Sequence, residues 1–312
     1  MKVAIIINYA ANNGRAKKRW IQIKEEVLNS FPTNTILIPF EPPFDIELCL
    51  KGLVENQRVD VIISAGGDGS ANYILNALMK LENIDLKKIT LGGIGLGSSN
   101  DFIKPKKRSI QNVPVRLNFE SVKLVDIGKL NYTQEDNQKT TRYFIANSSM
   151  GVTAEANYLF NQNSGIIGFL KNKLTDLAII YAALKTIFTF RNYAISIEYN
   201  GMKKEMRISN LAVLKNPHVS GNFVYDQNIQ SDDGKLGLNI CEDMTKWELI
   251  KTLLDLSKGV FSGEIKRHAV FTKDIRIITS DFKALEIDGE VFKGKHPHFS
   301  ILSKTIQLLG TD

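Results

Sequence analysis

The stretch that most constrains this chain is VDVIISAGGDGS, residues 59–70, together with the run that follows it. Val59, Val61, Ile62 and Ile63 have the apolar, β-branched composition of a buried strand, and Ile74, Leu75, Leu78 and Leu81 recur at helical spacing. Between them stand Gly66, Gly67, Asp68, Gly69 and Ser70. A strand that ends in glycines and leads into a helix presents backbone N–H groups where negative charge is favoured, so it suits an anion. Asp68 adds a condition, because a carboxylate repels a phosphate unless a divalent cation or its waters lie between them. The segment points to a metal-bound phosphoryl donor; an ordinary tight turn with a capping polar residue has the same pattern.

The flanking pattern extends this unit. Residues 3–8 read as a strand, followed by a polar turn with Gly14 and a helix over 16–28 with Trp20, Ile23 and Val27 on one side. A short strand over 35–39 precedes an irregular stretch set by Pro39, Pro42 and Pro43, then a helix near 46–55. Strands alternating with helices predict an α/β domain with a parallel sheet covered on both faces. In KKITLGGIGLGSSNDFIKP, residues 87–105, a strand over 89–91 is expected to run into a turn at Gly92, Gly93, Gly95 and Gly97. Ser98, Ser99, Asn100 and Asp101 then stand at a helix start. Two Gly-rich strand ends in one such sheet can face the same crevice.

Beyond KPKKRS the pattern changes. Residues 122–130, 141–149, 194–199, 206–216, 236–243, 274–281 and 284–292 are strand-like, several with period-two alternation. They predict a β-rich, mostly antiparallel sandwich or flattened barrel. The expected division is 1–120 and 121–299, with a final strand in 300–312 that can return to the first domain. Two helical insertions interrupt the strands. Residues 246–258 are expected to bury Trp247, Ile250, Leu253 and Leu254. Residues 166–190 are apolar on most of their circumference but carry Lys171, Lys173, Asp176 and Lys185, which suits an acyl pocket, a bilayer surface or packing between domains.

Composition narrows the function classes. With 43% hydrophobic and 23% charged residues the chain reads as globular. No window approaches about 18 uninterrupted apolar residues, and MKVAIIINY reads as a strand rather than a signal peptide. Cys49 and Cys241 are isolated, and His218, His268, His296 and His298 lack zinc spacing, so a reducing, cytoplasmic location is expected. The net charge of +7 favours an anionic partner such as a nucleotide or anionic lipid. Nucleic acid is not expected, since no zinc finger, RNA-binding signature or basic stripe with aromatics is present.

At this point the chain resembles the diacylglycerol kinase catalytic-domain family, which includes bacterial soluble lipid kinases and sphingosine and ceramide kinases. GGDGS at 66–70 is similar to the family's GGDGT, and GLGSSNDF at 95–102 to its P-x-GT-x-NDF segment. NSSMGVTAE at 147–155, SDDGKLGLNI at 231–240 and IDGE at 287–290 follow in the family's order. The resemblance implies an ATP- and Mg2+-dependent kinase of the NAD kinase/diacylglycerol kinase-like fold, acting on a lipid hydroxyl in a cleft between two domains. It places Asn8, Gly66, Gly67, Gly69, Ser70, Gly97, Ser98, Asn100 and Asp101 at the nucleotide. It assigns Asp68 and Asp126 to the metal and its waters, Asp233 with Gly234 to a structural or regulatory magnesium site, and Asp288, with Glu290 beside it, to the general base. It is also compatible with a homodimer and with peripheral contact at an anionic inner membrane face.

The chemistry explains why such residues are needed. As phosphoryl transfer proceeds a lipid alcohol loses its proton, so a carboxylate within reach can orient it and accept that proton. The sequence also departs from the family pattern. Residues 8–14, NYAANNG, lack the usual proline, Gly95 stands where proline is common, and Tyr225, Asp226 and Gln227 replace a region with Met and Pro. An NAD kinase, or a nucleotide- or lipid-binding regulator without catalysis, are the alternative readings. If residues 166–190 dock on a bilayer, raising ionic strength will weaken binding to anionic vesicles, and salt-independent or absent binding will favour interdomain packing.

Overall fold

In the computed structural model, which describes residues 1–82, 84–162 and 175–312, the chain forms two units: Met1–Ile127 with Ser303–Asp312, and Gly128–Leu302. The division falls within the strand Asn118–Thr133, as does the expected boundary at 120.

In the first unit Val3–Asn8 pairs in parallel with Ile36–Phe40 on one side and Val61–Gly66 on the other, and Val61–Gly66 pairs in parallel with Thr90–Gly95. The end of the chain joins this array, with Gln307 and Leu308 beside Thr90 and Leu91. Alternate residues of a strand share a face, and Val61, Ile63 and Ala65 pack with Trp20, Ile23 and Val27 of the helix Arg15–Leu28. The expected helix near 46–55 is the short helix Ile46–Lys51 followed by a π turn, Gly52–Asn56.

Gly92, Gly93 and Gly95 were expected in a turn, and they lie instead in the strand Thr90–Gly95. Crowding is the reason. A Cβ at Gly92 would stand 2.6 Å from Ile63 Cδ1 and 2.8 Å from Leu309 Cδ1, and one at Gly93 would stand 2.9 Å from Phe102.

Arg116 clamps this unit from within. Its guanidinium donates to the carbonyls of Phe102 at 3.0 Å, Leu309 at 3.0 Å and Lys104 at 3.4 Å. Burial pulls its pKa down to about 10, with Asp312 acting in the opposite direction.

The second unit is antiparallel. Met202–Leu214 pairs along residues 202–208 with Tyr193–Tyr199, and along 210–214 with both Asn147–Gly151 and Leu236–Glu242. Lys283–Ile287 pairs with Asn147–Gly151 and with Glu290–Gly310, a 21-residue strand that continues without interruption into the expected 305–309 run. Strand Arg267–Thr272 of this unit was not foreseen, nor were Arg108–Ile110 and Val113–Arg116 of the first. Leu130, Phe144, Leu211, Ile240 and Phe299 are at the centre of the core.

The helix Lys246–Ser257 bears out part of the expected face: Ile250 and Leu253 pack against the core and Trp247 and Leu254 do not. It starts with a capping box between Thr245 and Glu248, and it buries Leu249, Thr252 and Leu256. Arg267 anchors that face by donating to Thr252 Oγ1 at 3.1 Å and Asp255 Oδ2 at 2.8 Å. Trp247 and Leu254, seven residues apart on the opposite stripe, are 75% and 57% exposed, while Ile250 and Leu253 are partly buried. Of the expected 166–190 insertion, residues 166–174 lie outside the described residues. The helix Thr175–Thr189 buries Ala178, Ala182, Ala183 and Ile187 and exposes Leu177, Ile180 and Phe188. Among the described residues no helix is long and apolar enough to cross a membrane.

Replacing Arg116 by Met will leave carbonyls of Phe102, Leu309 and Lys104 without their donor. Urea unfolding should show a loss of about 2–4 kcal/mol, near the cost of unsatisfied buried acceptors.

Candidate active site

The glycine loops of the first unit meet because neither carries side chains at the contact. Gly66 ends its strand and Gly67 caps the helix Asp68–Leu78 with an extended backbone, φ −99 and ψ −171. The helix therefore begins at Asp68, earlier than the apolar spacing indicates, and Asp68, Gly69 and Ser70 form its first turn. The first N–H groups of a helix lack intrahelical partners and point at whatever lies before it. A Cβ at Gly97 would stand 2.3 Å from Gly67 Cα, and one at Gly66 would stand 2.3 Å from Ser70 Oγ. Both amides of Leu96 and Gly97 donate to Gly66 O, at 2.9 and 3.1 Å.

Polar side chains hold this contact. Asp68 Oδ1 accepts the N–H of Phe102 at 2.8 Å, tying the first loop to the second. Asn8 Nδ2 donates to Ser70 Oγ at 2.9 Å, and its Oδ1 accepts the N–H of Ala10 at 3.0 Å. Asn100 is buried in the left-handed region, φ 54; its Oδ1 accepts the N–H of Gly97 at 3.0 Å and its Nδ2 donates to Gly97 O at 3.1 Å. Ser98 Oγ donates to Asn12 Oδ1 at 3.4 Å. The structure thus brings together Asn8, Gly66, Gly67, Asp68, Gly69, Ser70, Gly97, Ser98 and Asn100. Asn12 was missed, although Asn12, Asn13 and Gly14 all have positive φ, at 52, 54 and 79, and an Asn-Asn-Gly run is a legible left-handed signal.

Two predicted carboxylates of this unit are stitched inside it. Asp101 forms an ion pair with Lys104 at 2.6 Å, with side chains 7% and 5% exposed. Asp126 is buried, and its Oδ1 accepts the N–H of Lys304 at 2.9 Å, fastening the returning strand.

In the second unit Asp288 and Gly289, with φ of 44 and 89, form the two-residue turn between Lys283–Ile287 and Glu290–Gly310. Positive φ at both positions is the hairpin geometry that favours an Asp-Gly pair. The Asp288 carboxylate is buried and accepts the N–H groups of Ile145 at 2.9 Å, Ala146 at 2.9 Å and Asn147 at 3.0 Å. Glu286, which the sequence reading missed, is also buried: it accepts the N–H of Gly289 at 2.6 Å and the hydroxyl of Ser149 at 2.7 Å. Its position between Leu285 and Ile287 in a strand gives it no sequence signal beyond alternation. Glu290 is exposed. Asp233 Oδ1 accepts the ammonium of Lys215 at 3.0 Å and the N–H of Lys235 at 3.0 Å.

Among the described residues no group of three or more His, Cys, Asp and Glu side chains could hold a metal. Mg2+ at phosphoryl sites takes one or two carboxylates together with phosphate oxygens and waters. Asp68, half-buried at a helix start, fits that limited role.

Residues 2–130 match the model of the diacylglycerol kinase catalytic domain, and residues 146–310 match that of the YegS C-terminal NAD kinase beta sandwich-like domain. A diacylglycerol kinase of Bacillus subtilis is 26% identical over 240 residues, covering 75% of this chain and 72% of the relative. A diacylglycerol kinase of Staphylococcus aureus is 27% identical over 249 residues, covering 78% and 71%. The crystal structure of a diacylglycerol kinase from Bacillus anthracis superposes with a TM-score of 0.68 at 20% identity, over 99% of this chain and 96% of that one, a likeness of fold.

Gly97→Ala should lose about 1–3 kcal/mol in denaturant unfolding, because the obstructing atom is backbone and cannot rotate away. Gly52→Ala, where a Cβ meets nothing within 4 Å, should gain about 0.4–1 kcal/mol.

Proposed function

Because the chain belongs to the diacylglycerol kinase catalytic-domain family and is a kinase, we propose that it transfers the γ-phosphoryl group of ATP to the hydroxyl of diacylglycerol or a related lipid alcohol. The observation that carries this reading is the backbone contact of Gly67 with Gly97 at the start of the helix Asp68–Leu78. That contact leaves the first N–H groups of the helix and the exposed Ser98 hydroxyl at a surface without bulky side chains, where nucleotide phosphates can approach, with the Ser70 hydroxyl buried behind them. Asn100 and Asn8 keep the loops in place by bonding the backbone and Ser70.

Bound Mg2+ would screen the repulsion between Asp68 and the phosphates and stabilise charge on the transferred group. Asp68 is oriented for this by the N–H of Phe102. In this reading Asp288 is the group that orients the lipid hydroxyl and takes its proton, with Glu290 exposed beside it. Backbone donors from Ile145, Ala146 and Asn147 fix where that carboxylate stands. Because the acceptor resides in a bilayer, the protein needs a membrane-facing surface. Exposed Trp247 and Leu254, with Lys251 between them and Lys258 beyond, support contact with anionic lipid.

The test is transfer of labelled phosphate from ATP to a lipid extract and, separately, to NAD. Asp68→Asn keeps an oxygen for the Phe102 N–H and removes only charge, so turnover should fall about 100-fold or more with the melting temperature nearly unchanged. Asp288→Asn is a less clean substitution: its amide would turn an NH2 toward backbone N–H donors, costing about 1–3 kcal/mol of stability besides activity. Labelled NAD and unlabelled lipid would move the chain to the NAD kinase reading.

A further inference from the structure

The resemblance implies a magnesium ion at Asp233 and Gly234, and the residues there do not fit one. Lys215 follows the strand Met202–Leu214 directly, and its side chain is 1% exposed. Its ammonium donates to Gln230 O at 2.8 Å, Lys235 O at 2.8 Å and Asp233 Oδ1 at 3.0 Å. An ammonium has three N–H donors, and these oxygens accept from it at ordinary hydrogen-bond length. The centre of the oxygen set, where a divalent ion would have to sit at about 2.0–2.6 Å from each ligand, is filled by a nitrogen that already carries positive charge.

We propose that the ammonium of Lys215 is the resident cation of the Asp233 loop and makes the second unit independent of divalent metal there. The ammonium does for residues 230–235 what a structural ion does elsewhere: it draws two carbonyls and a carboxylate to one point and cancels the carboxylate's charge. Because it is covalently joined to the end of a core strand, it also fixes that loop relative to the chain around it. The Lys215 N–H bonds Ala146 O at 2.8 Å, and the Ala146 N–H is one of the donors to Asp288. One residue therefore joins the 230–235 loop to the segment that positions the Asp288 turn. A metal could be removed by a chelator; a lysine cannot.

This inference does not depend on the phosphoryl acceptor, and its test reads metal binding and stability in the full chain without nucleotide. Mn2+ titrations followed by the electron paramagnetic resonance of free ion should give the same stoichiometry and affinity for the wild type and Asp233→Asn. The wild-type melting temperature should be the same in EDTA and in excess Mg2+. Lys215→Met, which keeps most of the side chain and removes the ammonium, should lower the melting temperature by about 10 °C by leaving the partly buried Asp233 carboxylate and the carbonyls of Gln230 and Lys235 without their donor. The double variant Lys215→Met/Asp233→Asn should recover part of that loss, giving a readout should the single variant fold poorly. A Mg2+-dependent rise in wild-type melting temperature that disappears in Asp233→Asn would overturn the proposal, as would a Lys215→Met protein as stable as the wild type.

Discussion

Buried backbone N–H groups must find acceptors, and in this chain several of the motif carboxylates are those acceptors. Asp68 takes the amide of Phe102, Asp126 that of Lys304, and Asp288 those of Ile145, Ala146 and Asn147. Each bond spans a long separation in sequence, so the aspartates act as stitches between segments that would otherwise carry unpaired donors. A charged acceptor makes a stronger bond than a neutral one. These side chains are thereby held in single orientations before any ligand arrives.

The glycine loops apply the complementary logic. Where Asp68 and Asn100 add hydrogen bonds, Gly67 and Gly97 remove atoms, and the resulting backbone approach is closer than any side chain would permit. Positive charge is handled in a similar way. Lys104, Lys215 and Arg116 are enclosed by oxygen acceptors inside their units, so part of the excess of cations that a sequence reading assigns to an anionic partner has a structural use.

Several elements were readable before the structure. Val61–Gly66 and the helix after it announce themselves by composition and spacing, and Asp288-Gly289 is a turn signal whose backbone angles are those of a hairpin. The helix Arg15–Leu28 buries Trp20, Ile23 and Val27, the residues its periodicity singles out. Other elements were misread for physical reasons. Glycine is read as a turn former, so the strand expected over 89–91 was ended too early, since what demands glycine in its continuation to Gly95 is the bulk of Ile63, Leu309 and Phe102 arriving from elsewhere. The helix Lys246–Ser257 has apolar residues on two stripes, and the inward one carries Leu249 and Leu256 into the core beside Thr252, which Arg267 bonds together with Asp255.

The sequence by itself determined the glycine loops, their aspartates and the order of strands and helices, because these depend on local backbone freedom and on the period of apolar residues. Tertiary structure alone decided the partners of the charged groups. Nothing near Lys215 in sequence announces that its ammonium will meet Gln230, Asp233 and Lys235, or near Asp288 that its carboxylate will meet the amides of Ile145, Ala146 and Asn147. The reason is that a charge inside a protein is stable only where the whole set of surrounding dipoles and counter-charges is in place, and that set is assembled from segments distant along the chain.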